Sequence, residues 1–194
     1  MLNYMNYIID NAGIISEARQ IPSPNYDDRP AGTDIDTLVI HAISLPPDQF
    51  GGDHISALFT NSLDTAVDPY FKEINHLHVS SHFLIDRKGA VTQFVPAHKR
   101  AWHAGESEFD GRCQVNDFSI GIELEGCDTK PFEAQQYIEL SKLTHSIQTT
   151  FSRILTNRII GHSDIAPGRK TDPGPFFDWA HYRQLLQEIE DDQT

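Results

Sequence analysis

Ser119-Ile-Gly-Ile-Glu-Leu-Glu125 alternates with a period of two. Ile120, Ile122 and Leu124 fall on one side; Ser119, Gly121, Glu123 and Glu125 fall on the other. That period belongs to a β-strand with two unlike faces. Working outward, Thr37-Leu-Val-Ile-His41 is a short apolar run that reads as a buried strand ending at His41. Arg158-Ile-Ile-Gly161 is a second such run, followed at once by His162. Residues 78–95 read as a hairpin, with Asp86-Arg-Lys-Gly89 as its turn and Val91–Val95 as the return strand. Helical periodicity appears in Pro131–Phe151, through Leu140, Leu143, Ile147 and Phe151. It appears again near the C-terminus, through Tyr182, Leu185, Leu186 and Ile189. Between His41 and the hairpin lie a Pro/Gly-rich loop and two short helical pieces. The second of these has Asp68 as N-cap and Pro69 at the first helical position. Strands and helices mix without strict alternation, which predicts an α/β fold: a mixed central β-sheet flanked by α-helices.

Composition bounds the function. The chain has 194 residues, a length that suits one domain (1–194, with a core at about 20–185). Lys and Arg number 15 against 28 Asp and Glu, a net charge of −13. Phosphate binding needs clustered cations, so a general nucleic-acid binder is excluded, and an anionic membrane surface is a poor partner. No run of about 18 apolar residues is present to span a bilayer. The stretch Met1–Asp10 lacks a basic start, and Asp10 and Asn11 interrupt it. It does not read as a secretory signal, which gives the expectation of a cytoplasmic location. Cys113 and Cys127 are the two cysteines, outside any CxxC pattern, and are expected to be free thiols.

Ten histidines remain to be explained. His41 and His162 sit at strand ends, and Asp172 follows His162 by ten residues in a loop rich in Pro and Gly. Two imidazoles and a carboxylate suit Zn²⁺, and three protein ligands leave a fourth position open for catalysis. Spacing alone does not decide this: a strand-end histidine is more often a packed residue, and an aspartate beside Pro and Gly is more often a turn residue.

The order of the motifs says more. Leu38-Val-Ile-His41, Val79-Ser-Ser-His82-Phe-Leu-Ile85, Arg100-Ala-Trp-His-Ala-Gly105, Asn116–Gly126 and Gly161–Gly174 succeed one another in a particular order. This resembles the zinc-dependent N-acetylmuramoyl-L-alanine amidases, a group that also contains phage lysozyme-type amidases and peptidoglycan-recognition domains. Ile43–Gly52, Asn116–Gly126 and Arg169–Pro175 are similar to the branch that trims anhydro-muropeptides in the cytosol during cell-wall recycling. The resemblance implies that His41, His162 and Asp172 are the Zn²⁺ ligands, that Glu123 is the catalytic acidic residue, and that Lys170 meets the oxyanion. Where other branches carry a tyrosine, this chain has Ser81, so the acid–base work falls to Glu123. The implied substrate is an anhydro-muropeptide, with Trp102, His103, Ala104, His78, Tyr70 and Arg112 as candidate contacts. His82 is expected to be a hydrogen-bonded neighbour of the metal site. Three departures bear on substrate binding: Ala42 replaces an asparagine, His78 replaces an arginine, and Arg112 is displaced from an arginine position held here by Gln114.

Overall fold

The computed structural model describes residues 7–192. Residues 1–6, which carry much of the N-terminal stretch read above, lie outside the described residues. The strands are β1 (Arg19–Gln20), β2 (Tyr26–Asp27), β3 (Thr37–Ile43), β4 (Phe83–Ile85), β5 (Val91–Gln93), β6 (Arg100–Ala101), β7 (Glu108–Phe109), β8 (Arg112–Cys113), β9 (Ser119–Glu125) and β10 (Ile159–Gly161). The α-helices are α1 (His54–Phe59), α2 (Pro69–Ile74), α3 (Ala134–Thr150), α4 (His162–Ile165) and α5 (Trp179–Asp191).

Six strands form the central sheet in the order β1-β5-β4-β9-β3-β10. β9 runs parallel to both of its neighbours, β4 and β3, and β10 runs parallel to β3. Only the β4–β5 pair is antiparallel within this sheet. The expected mixed sheet is therefore what the chain forms.

All seven residues of β9 are buried, so neither of its faces meets bulk water. The apolar face contributes Ile120, Ile122 and Leu124 to the main core with Leu38 and Ile40 of β3. α3 and α5 close that core with Leu140, Leu143, Ile147, Tyr182 and Leu186. The Tyr182 hydroxyl, fully buried, is satisfied by Thr144 Oγ1 at 2.7 Å. Core helices and central strands thus account for the apolar periodicities. The polar residues of β9 lie on the opposite face, beneath other chain segments, and Glu123 among them lines a cleft.

Residues 44–77 pack on that second face. Leu45, Ile55, Leu58, Phe59, Phe71 and Ile74 form a separate apolar cluster with Leu84 of β4 and Phe94 and Val95. α2 starts as its sequence predicts: Asp68 accepts a hydrogen bond from the Tyr70 N–H at 2.9 Å, with Pro69 in the first turn. The hairpin is shorter than its periodicity suggests. Its strands are residues 83–85 and 91–93, joined by a turn in which Asp86 Oδ1 accepts from the Lys88 and Ala90 N–H groups. Residues 78–82 leave the strand because their backbone partners lie elsewhere: Ser80 N–H donates to Trp102 O, and His82 N–H to Gly121 O. The long polar stretch 96–118 is ordered by two small two-stranded pairings, β2 with β6 and β7 with β8.

Candidate metal centre and active site

β3, β9 and β10 are adjacent and parallel, so their C-terminal ends share one edge of the sheet. Register does the rest. His41 on β3 is directly paired with Glu123 on β9. Gly161 on β10 pairs with Ile40, which sets His162 next to His41 as α4 begins. The loop after α4 returns Asp172, held by the Ser163 N–H donating to Asp172 O at 2.9 Å.

The three side chains converge. His41 Nδ1 lies 2.9 Å from His162 Nδ1 and 3.2 Å from Asp172 Oδ2, and His162 Nδ1 lies 3.1 Å from the same oxygen. Both histidines are buried. The outer nitrogen of each ring has its own partner. His162 Nε2 faces the Ala104 carbonyl at 3.1 Å, which can only accept, so Nε2 carries a proton and Nδ1 is the nitrogen turned toward the other donors. His41 Nε2 faces His103 Nδ1 at 2.9 Å. Burial pushes the His41 imidazole down to about 4, so that ring is neutral at pH 7. Burial raises the Asp172 carboxyl, but the two neighbouring imidazoles outweigh it and keep the group ionised. Three lone-pair donors aimed at one point repel one another unless a cation lies between them. Such a set of donors could hold a metal ion.

Glu123 stands beside this triplet. Its Oε1 is 4.0 Å from His41 Nδ1, and its Oε2 is buried without a hydrogen-bond partner. Burial, followed by the negative charge of Asp172, raises its carboxyl well above the ordinary range, with Lys170 opposing. A carboxyl whose hold on a proton is strengthened in this way is a candidate for acid–base work.

The site opens into a cleft of about 490 Å³. Its lining includes the apolar Leu45, Leu58, Phe59, Ile74 and Val79 together with Lys170, Thr171 and Asp172. A larger cavity of about 840 Å³ lies around Phe109, Asp110, Ile165 and Arg169, and contains none of the converging donors.

The structure places the remaining candidates unevenly. Tyr70 and His103 line the cleft. Ala104 and Trp102 do not. Ala104 is buried and acts through its carbonyl on His162, while Trp102 is tied to Ser80 through its backbone. His78 is exposed and outside the lining. Arg112 is also not brought to the cleft: its guanidinium donates to both carboxylate oxygens of Asp36 at 2.8 Å and stacks on Phe118. Asp36 also receives Arg158, so the arginine is engaged in tying β8 to the start of β3. Ser81 is buried and donates to the Gly121 carbonyl. Cys113 and Cys127 are free, as expected.

His82 does not reach the metal donors. Its Nδ1 accepts from the Gly121 N–H at 3.0 Å, so Nε2 bears the proton and donates to the Lys99 carbonyl at 3.0 Å. Burial and then the nearby Arg29 push this ring down to about 3. The unfolded chain takes up a proton at about pH 6.5, whereas the folded one does so only near 3. Stability at His82 is therefore full above pH 6.5 and falls as pH drops through that window. Between pH 6.5 and 5 the loss is about 2 kcal/mol. In denaturant titrations, the stability difference between wild type and His82→Gln should shrink by that amount from pH 7 to pH 5. An unchanged difference would show that His82 is protonated in the folded state.

Two features escaped sequence reading: the Ala104 carbonyl behind His162 and the place of His103 behind His41. Neither leaves a local signal, because both are made by contacts between residues far apart in sequence.

Comparison with known proteins agrees with this geometry. Residues 31–175 match the N-acetylmuramoyl-L-alanine amidase family. The chain is 51% identical over 170 residues to the 1,6-anhydro-N-acetylmuramyl-L-alanine amidase AmpD of Haemophilus influenzae, covering 88% of this chain and 92% of that protein. Among solved structures, a selenomethionine derivative of AmpD superposes with a TM-score of 0.88 at 52% identity, covering 91% of this chain and 98% of that one. The Escherichia coli amidase AmiD, solved with the substrate anhydro-N-acetylmuramic acid-L-Ala-D-γ-Glu-L-Lys, gives a TM-score of 0.59 at 30% identity, covering 81% of this chain and 60% of that one. With the converging donors, the adjacent buried glutamate and these matches taken together, the chain belongs to the N-acetylmuramoyl-L-alanine amidase family.

Proposed function

We propose that this protein is a zinc amidase of cell-wall recycling in the cytoplasm. It would hydrolyse the amide between the lactyl group of 1,6-anhydro-N-acetylmuramic acid and L-Ala of a muropeptide. The observation that carries this reading is the convergence of His41 Nδ1, His162 Nδ1 and Asp172 Oδ2 beside the buried carboxyl of Glu123, at the head of a cleft. The likeness to AmpD supports the anhydro-muropeptide as substrate. Residues 20–185 act as one unit in this reading, and neither nucleic acid nor membrane takes part. Among the described residues no helix is long and apolar enough to cross a membrane.

His41, His162 and Asp172 hold the ion. When bound, Zn²⁺ supplies a Lewis acid and lowers the pKa of a water to about 7. Glu123 takes a proton from the attacking water as its oxygen bonds to the lactyl carbonyl carbon. The C–N bond then breaks, and Glu123 returns the proton to the departing L-Ala nitrogen. Lys170, also in the cleft lining, would meet the oxygen that becomes negative in the tetrahedral intermediate; a donor of this kind is typically worth about 2.7–4 kcal/mol. Tyr70 and the apolar lining position the substrate.

The test combines zinc content with cleavage. Purified protein should contain about one zinc per chain and release peptide from anhydro-muropeptide, and chelator should abolish that release. Intact cell wall should be cut far more slowly. Cleavage unaffected by chelator would overturn the mechanism. Preference for the polymer would overturn the substrate, and zinc binding without turnover on either would leave a recognition module.

A further inference from the structure

Behind His41 a polar chain runs into the protein and stops. His41 Nε2 lies 2.9 Å from His103 Nδ1, and His103 Nε2 lies 3.1 Å from Ser119 Oγ. Ser119 Oγ lies 2.6 Å from the Val115 carbonyl. All three side chains are buried. Two oxygens at 2.6 Å need a proton between them, and a carbonyl has none to give. The hydroxyl proton of Ser119 is therefore committed to Val115. Its oxygen is left as an acceptor, so His103 Nε2 must donate to it. A neutral His103 then has a bare Nδ1, which can only accept, so His41 must donate from Nε2. That leaves the Nδ1 lone pair of His41 facing His162 and Asp172. The direction of every bond is fixed by the carbonyl at the far end.

The slot that holds this chain is built into β9. A Cβ on Gly121 would lie 2.6 Å from Cγ and 2.7 Å from Nδ1 of His103, so only glycine lets the ring lie against the strand. The two rings meet edge to face, with centroids 5.0 Å apart. A residue serving only to fill this space needs no nitrogen. His103 uses both.

We infer that His103 and Ser119 are positioning residues that fix the ring orientation and tautomer of His41, presetting its Nδ1 for the metal before any ion binds. The inference rests on the metal reading of His41, His162 and Asp172 and is independent of the substrate. It assigns no acid–base step to His103, because the chain ends on a carbonyl and has no outlet for a proton. Outer partners of ligand histidines commonly change metal affinity by about 10–100-fold.

The experiment measures Zn²⁺ affinity by chelator competition and, in metal-free protein at pH 7, the tautomers of His41 and His103 from two-bond ¹⁵N–¹H couplings. Wild type should bind Zn²⁺ and show both rings as the Nε2–H form. His103→Phe fills the slot without nitrogens and should weaken Zn²⁺ binding by about 10–100-fold. His103→Gln, which restores an acceptor, should recover part of that loss. Ser119→Ala removes the acceptor for His103 Nε2–H with little change in shape, and should introduce the Nδ1–H form in these rings and weaken binding several-fold. His41 found as Nδ1–H in wild type would overturn the inference. So would Zn²⁺ affinity in Ser119→Ala and His103→Phe within twofold of wild type. If His103→Phe does not fold, Ser119→Ala and the wild-type couplings decide the matter. Wild type failing to bind Zn²⁺ would instead overturn the metal reading itself.

Discussion

Glu123→Gln should lower kcat by about 10²–10⁴-fold while leaving the zinc content and the fold intact. The substitution keeps the shape of the side chain and removes only its capacity to take and return a proton. Zinc should stay because Glu123 is not among the converging donors; its nearer oxygen is 4.0 Å from His41 Nδ1. Folding stability should be unchanged or higher. In the wild type, Glu123 Oε2 is buried without a partner, and the burial that raises its carboxyl is a cost that an amide does not share in full. Loss of activity with a gain in melting temperature is the pattern of a side chain placed for chemistry at the expense of stability. Activity, bound zinc and Tm measured on the same preparation check all three points. Zinc loss would recast Glu123 as a ligand, and activity near wild type would remove it from the mechanism.

Asp172→Ala should abolish both tight zinc binding and turnover. Asp172 Oδ2 is within 3.2 Å of both Nδ1 atoms and supplies the only negative charge in the donor triplet. Removing it leaves only two imidazoles as donors, so the loss in affinity should exceed the roughly 10–100-fold expected for residues that only support a ligand. Thermal unfolding gives an activity-independent readout. A metal at 1,000 times its Kd stabilises the folded state by about 4 kcal/mol. Added zinc should therefore raise the Tm of wild type by several degrees and leave that of Asp172→Ala nearly unchanged. An equal rise in both would mean that the ion binds elsewhere.

The periodicities of β9, α3 and α5 and the Asp68–Pro69 start of α2 could be read directly, because each is encoded by neighbours a few residues apart. The hairpin was legible in type but not in extent. Alternation continues through residues 78–82, while their hydrogen bonds go to Trp102 and Gly121. The motif order singled out His41, His162, Asp172, Glu123 and Lys170 through a resemblance. Periodicity shows that β9 has two unlike faces, not that both are covered. Burial of its polar face follows from residues 44–77 folding back over it, and nothing local in β9 records that.

Arg112 and His103 mark the limit more sharply. Both were candidates for substrate contact on the strength of their positions in motifs. Arg112 is instead held by Asp36, 76 residues away in sequence; His103 does line the cleft, but its Nδ1 also faces His41 Nε2, 62 residues away. The sequence by itself determined the main strands and helices and the class of sheet they build, and through its motif order it singled out the candidate metal ligands. The tertiary structure decided which nitrogen of each histidine faces the others, which carboxyl is left without a partner and which side chains reach the cleft. The physical reason is that strand and helix periodicity is a short-range property of the chain. Tautomer, burial and reach are set by parallel strands in register, whose ends bring together residues more than a hundred positions apart.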